Sequence, residues 1–184
     1  MRSALPTASQ ESANQELPLA TGTCRCEHPR CLTCSWINTA STVISHSTKL
    51  SYSVGPGNYN CKTPNVVYVI KFSCGELYIG ETSRALKDRI TGHRNAIRHQ
   101  DLSQPVAAHY ATHNHCAEDL SVCVLQKCSS DSQRFIAEKK WISQLVTDHP
   151  LGLNLEHVLA KDKRLVRALK SKSVSDAQSV PSSS

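Results

Sequence analysis

The run "VVYVIKF", residues 66 to 72, limits the possible folds more than any other part of the chain. A continuous apolar, β-branched stretch of this length cannot show either face to water, so it must be a central strand covered on both sides. It therefore needs neighbouring strands and a layer above and below. The first neighbour follows at once. "ELYIG" reads as a second, shorter strand, and "SCG" between the two supplies a turn in which Gly75 can take a positive φ. The economical arrangement is an antiparallel hairpin. With its turn centred near Ser73, Tyr68 and Tyr78 come out opposite one another on one face.

The rest of the main domain, expected over residues 61 to 156, supplies the covering layers. Thr82 or Ser83 can cap a helix on which Leu86, Ile90, His93 and Ile97 form a buried stripe, with Arg89 at its edge one turn before His93. "QPVAAHYATHNH" reads as a short helix begun by Pro105, "LSVCVLQ" as a third strand, and "DSQRFIAEKKWISQLV" as an amphipathic helix that ends before Pro150. The fold class is α+β, a small three-stranded antiparallel sheet flanked by helices.

Ahead of this domain, residues 23 to 60 read as a Cys-rich segment and a Ser/Thr/Asn-rich connector with one irregular strand. Cys24, Cys26, Cys31 and Cys34 are close enough in sequence to wrap one tetrahedral zinc ion, or else to lie in a loose linker. Residues 1 to 22 are polar and residues 157 to 184 carry the basic stretch "KDKRLVRALKSK" and a Ser-rich end; we expect disordered tails, with one basic helix in the second. No run is long and apolar enough to cross a bilayer and no secretion signal is evident, so the expected location is the nucleus or cytoplasm, with no membrane partner. In such a compartment the nine cysteines do not form a disulfide framework. The net charge of +6 suits a polyanionic partner without specifying one.

A few residues break the local rules. Glu138 falls within the apolar stripe expected for the last helix, among Phe135, Ile142, Leu145 and Val146, where a carboxylate requires a cation: either Arg89 or a metal ion. The Arg89 guanidinium fits a carboxylate or two phosphate oxygens, and Arg84, Lys87, Arg94 and Arg98 around it form either a nucleic-acid contact or a solvated face. Tyr68 and Tyr78, with Gly80 beside them, are either packed strand residues or a floor with its hydroxyls aimed at a ligand. Asn154 in "PLGLN" either satisfies a loop or pins the tyrosine hairpin.

Taken in order, "VVY", "YIG", Arg89 with His93, Glu138 and Asn154 resemble the GIY-YIG nuclease motif. Together with "PVAAHY" and "EKKWISQL", and with "CEHPRCLTCSWIN" ahead of them, they are similar to the endonuclease domain at the C-terminal end of Penelope-like retroelements, over residues 24 to 154. That resemblance implies metal-dependent hydrolysis of DNA, with no small-molecule substrate. Glu138 would hold one Mg2+ or Mn2+, Arg89 would clamp the phosphate, and Tyr68 and Tyr78 would orient or deprotonate water. His93 would handle a proton or contact phosphate, and Asn154 would support the hairpin. A homodimer is one route to cutting both strands. Relatives often add a zinc site from two cysteines and downstream histidines. Here only Cys74 remains and Phe72 stands near its partner's place, so either Cys74 forms an incomplete site with His109, His113 or His115, or, the expectation, it is a packed thiol and the histidines are exposed. The alternative reading keeps the fold and the basic helix as a catalytically inactive nucleic-acid-binding module.

Overall fold

A computed structural model describes residues 22–155, so the expected tails and the basic helix over 157 to 184 lie outside the described residues apart from Gly22. In chain order the elements are β1 (Gly22–Thr23), β2 (Thr42–Ile44), β3 (Ser51–Ser53), β4 (Asn58–Tyr59), β5 (Val66–Phe72), β6 (Leu77–Thr82), α1 (Leu86–Arg98), α2 (Pro105–Thr112), β7 (Leu120–Lys127) and α3 (Asp131–Leu145). The fold is α+β. Its main sheet runs β6-β5-β7, antiparallel throughout.

The central strand is what its composition demands. Every residue of β5 except Lys71 is buried. Val66, Tyr68, Ile70 and Phe72 pack against Leu86 and Ile90 of α1 and Val106 of α2, whereas Val67 and Val69 pack with Ala137, Trp141, Ile142 and Leu145 of α3. Each such aliphatic side chain contributes on the order of 1.5–3 kcal/mol by leaving water, so this strand anchors two core layers at once.

Residues 23 to 60 are more than a connector. β2 and β3 form an antiparallel pair, and β1 pairs in parallel with β4. Trp36, Ile37 and Tyr59 enter the core on the α1 face. The segment also covers the open edge of β7: Thr23 Oγ1 accepts the Val124 N–H at 2.7 Å, the Asn38 N–H donates to Val122 O, and the Gly55 N–H to Leu125 O, both at 2.8 Å. A sheet edge left bare would invite pairing with another chain.

Three local expectations are corrected. The hairpin is centred on Cys74, with Gly75 at φ 99°, so Tyr68 pairs with Gly80 and Tyr78 with Ile70. The two tyrosines share a face as diagonal neighbours and are not directly opposed. The start of α1 is capped neither by Thr82 nor by Ser83, since Thr82 turns to bond Arg84. Instead the Leu86 N–H donates to Thr63 O at 3.1 Å and the Lys87 N–H to Cys61 O at 2.8 Å, so tertiary carbonyls satisfy the helix's first donors. On α3 the buried side consists of Arg134, Ala137, Trp141, Ile142 and Leu145. Phe135, expected inside, is 55% exposed and lies under the Lys139 ammonium, and Val146 ends the helix in a left-handed conformation at φ 52°.

Candidate active site

Tyr68 is fully buried in mid-strand, and a phenol there must find partners for its hydroxyl. It finds two. Arg89 Nε donates to Tyr68 Oη at 2.9 Å, and His93 Nε2 lies 2.7 Å from the same oxygen. Because Arg89 can only donate, the tyrosine is left to give its own proton to His93 Nε2, which places the ring proton of His93 on Nδ1. Arg89 and His93 project together because they stand one turn apart on α1.

Two local features make room for this group. Opposite Val67 and Tyr68 the ladder slips: Val67 pairs with Gln126 and Tyr68 with Val124, leaving Leu125 as a bulge. Bulges re-aim side chains in this way beside functional sites. Across the hairpin, a Cβ on Gly80 would lie 2.5 Å from Tyr68 Oη and 3.0 Å from Tyr78 Cε1. The glycine of the second strand thus makes space for the first strand's hydroxyl. Tyr78 closes the set, its ring edge-on to His93 at 5.4 Å between centroids.

The electrostatics follow from burial. Burial, and then the charges of Tyr78 and Glu138, push Tyr68 well above the usual phenol range, against the pull of Arg89. His93 is pushed down to about 3 by burial and then by the Arg89 charge, so it is a neutral imidazole at ordinary pH. Burial disfavours the Arg89 cation as well, but Tyr68 and Tyr78 together outweigh it and hold its pKa above the normal value. Glu138 stands on α3, which packs on the sheet's other face, and its carboxylate adds a further push to the Tyr68 hydroxyl.

Asn154 joins the set from a distant turn. Its Oδ1 accepts the Ile79 N–H at 2.9 Å and its Nδ2 donates to Ile79 O at 2.7 Å. It thus occupies the open edge of β6 between Tyr78 and Gly80, the hairpin-pinning role rather than that of a loop. Arg134, whose importance the sequence reading missed, anchors α3 one turn before Glu138. It is 7% exposed, and it bonds Glu81 and also Asn65 Oδ1 at 3.1 Å and Asp131 at 3.0 Å. Its spacing with Ala137, Trp141 and Leu145 was the available signal.

The donor set suits a hard divalent ion. Glu138, half-buried on α3, offers one hard carboxylate donor, and a single carboxylate would leave the remaining coordination of such an ion to water and phosphate oxygens. The four basic residues around Arg89 are spread out. At about 100° per residue, Lys87, Arg94 and Arg98 lie on the opposite side of α1 from Arg89 and His93. Arg94 turns to the Cys-rich segment, donating to Leu32 O at 2.9 Å and lying 5.2 Å over the Trp36 ring. Arg84 is exposed just before the helix.

Two clusters of soft ligands stand apart from this centre. Of the expected zinc set, Cys26, Cys31 and Cys34 come together but Cys24 does not. Pairing with β4 turns Cys24 toward Asn58, whose Oδ1 accepts from its thiol at 3.0 Å, and Cys61 takes its place in the cluster. Farther off, Cys74, His109 and His115 converge, with His109 Nε2 3.3 Å from Cys74 Sγ and 3.2 Å from His115 Nε2. Contrary to expectation, Cys74 is exposed while His109 is 8% exposed, and His109 is pushed down to about 4 by burial and then by its histidine neighbours. His113 lies tilted against it, 4.1 Å between ring centroids, without joining the group.

Residues 64–149 match the family profile of the GIY-YIG catalytic domain, a family of endonucleases. No curated protein and no solved structure gave a match.

Proposed function

We propose, from the GIY-YIG catalytic domain matched over residues 64–149, that this protein is a divalent-metal-dependent endonuclease hydrolysing DNA phosphodiester bonds. The observation that carries the reading is the Tyr68 hydroxyl, fixed between a guanidinium donor and a neutral imidazole acceptor. A packed tyrosine would be satisfied by any acceptor, whereas these two partners are a cation and a proton-accepting ring set one turn apart on one helix.

The chemistry follows from the placement. Arg89, held at the rim of the sheet by the phenols, keeps donors of its fork for a non-bridging phosphate oxygen and answers the charge that builds there. Tyr68 orients the attacking water and accepts its proton as its own shifts to His93 Nε2; the phosphate that Arg89 binds brings the negative charge that offsets the imidazolium, which burial and the Arg89 charge disfavour. Glu138 would hold a divalent cation, Mg2+ or Mn2+, which would supply Lewis-acid polarisation of the phosphate and stabilisation of the leaving oxygen. Tyr78 orients the water and shields the His93 ring. Asn154 fixes the strand segment that bears Tyr78 and Gly80.

The order of motifs and the Cys-rich stretch ahead of them support an origin as a detached or domesticated part of a Penelope-like retroelement. With one centre per chain, cutting both strands takes a homodimer or two separate events. Among the described residues no helix is long and apolar enough to cross a membrane, and we place the activity in the nucleus or cytoplasm.

The test is purified full-length protein with supercoiled plasmid and Mg2+ or Mn2+, beside Glu138→Ala. Nicking by the parent and none by the variant is expected, with the two retaining similar salt-sensitive DNA binding. Salt-sensitive retention by both without nicking would point to the inactive binding module and end the hydrolytic proposal.

A further inference from the structure

The cluster of Cys26, Cys31, Cys34 and Cys61 stands outside the proposed reaction. We propose that these four cysteines form a structural zinc site that fastens the Cys-rich segment to the start of α1.

The sulfur atoms all lie within 4.8 Å of one another. Cys34 Sγ is 3.5 Å from Cys26 Sγ and 3.5 Å from Cys61 Sγ. Two sulfurs bound at about 2.3 Å to one tetrahedral zinc stand about 3.8 Å apart, whereas a disulfide would bring them to about 2.05 Å. The spacing thus fits a shared ion. Cys61 is fully buried and the other three are half-buried, which closes the site to solvent on one side, as a structural rather than a catalytic ion requires.

The surroundings favour thiolates. The Cys26 N–H donates to Cys34 Sγ at 3.3 Å, an interaction that stabilises charge on sulfur. Lys62 and Lys87 line the surface beside Cys26 and Cys31, where a tetrathiolate zinc would carry a net charge of about −2.

The site has a structural task. Cys61 O accepts the Lys87 N–H at the first turn of α1, and Leu32, between two of the ligands, accepts from Arg94 on the same helix. An ion gathering these cysteines fixes both contacts, and with them the helix that presents Arg89 and His93. The proposal is independent of the nuclease reading, because metal content is measured without DNA.

The experiment measures zinc in full-length protein expressed with zinc and carrying Cys74→Ser, which removes the thiol of the other cluster. One equivalent of zinc per chain is expected. Adding Cys34→Ser or Cys61→Ser should remove it, and adding Cys24→Ser should leave it. In case Cys61→Ser does not fold, cobalt substitution of the Cys74→Ser protein keeps the question open to test: intense visible bands with thiolate-to-metal charge transfer of a tetrahedral tetrathiolate are expected. No bound zinc, loss of zinc through Cys24→Ser, retention through Cys61→Ser, or a cobalt spectrum lacking the tetrathiolate signature would each overturn the proposal.

Discussion

Tyr68 Oη and His93 Nε2 are 2.7 Å apart, joined by a hydrogen bond inside the protein between a strand and the helix that covers it. With Arg89 Nε donating from the other side at 2.9 Å, the hydroxyl has one proton to give and one direction in which to give it. Tyr68→Phe keeps the ring that fills the core and removes only this oxygen. Plasmid nicking should fall by about 10²–10⁴, the range for a positioned proton-transfer group. The melting midpoint should drop modestly, since Arg89 and His93 each lose a partner. Single-turnover rates together with thermal melts check both. A variant that nicks within about tenfold of the parent would remove Tyr68 from the reaction.

The depressed His93 leaves a thermodynamic trace. Unfolded, the imidazole titrates near 6.5; folded, burial and Arg89 hold it down to about 3. Below 6.5 the unfolded chain takes up a proton that the folded chain refuses. This group's stability is therefore fully present above pH 6.5 and is lost as pH falls toward 3, at up to about 1.4 kcal/mol per pH unit. His109, held down to about 4, acts in the same direction, so the test is a comparison. Urea midpoints of the parent should decline faster between pH 6.5 and 4.5 than those of His93→Gln. Parallel curves would mean that the ring is solvated or charged in the folded state.

Gly80 is where the sheet gives way to the site. The Cβ of Gly80→Ala would stand 2.5 Å from Tyr68 Oη, too close to be accommodated without moving one strand or the hydroxyl. Loss of nicking should therefore exceed loss of stability. Gly92 is the contrast: a Cβ there meets nothing within 4 Å in mid-helix, and Gly92→Ala should raise stability by about 0.5–1 kcal/mol. Denaturant titration of both variants decides the matter. Equal effects of the two would contradict this picture of the hairpin.

These cases also show what a sequence can carry. The double burial of β5 was readable from "VVYVIKF", because burial on two faces leaves a continuous apolar run. Pro105 and the alternation in "LSVCVLQ" marked their elements for equally local reasons. The hairpin register was missed by one position at the turn, since three loop residues, Ser73 to Gly75, and a centre at Cys74 cannot be told from a tighter turn by composition. The α1 cap was missed because its acceptors, Thr63 O and Cys61 O, are backbone groups of another segment. Phe135 was placed inside because hydrophobicity outranked register, and Arg134, a charged residue, was what the buried face admitted. Cys61 lay too far along the chain to be grouped with Cys26, Cys31 and Cys34 until the fold brought it there. Long-range partners are what local pattern lacks.

Asn154 offers the sharpest test of how the site is held. Its side chain imitates a backbone unit, accepting from Ile79 N and donating to Ile79 O along an edge that no strand occupies. Asn154→Ala leaves two buried backbone groups without partners, at about 1–3 kcal/mol each. Asn154→Asp keeps the acceptor but turns a carboxylate oxygen toward the Ile79 carbonyl, so it should be no better than alanine despite its shape. Both should melt lower than the parent, and at a temperature where all are folded both should nick more slowly, because Tyr78 and Gly80 flank the released residue. A melting midpoint for Asn154→Ala within about 2 °C of the parent's would show that this edge is satisfied by water and that the hairpin does not depend on the asparagine.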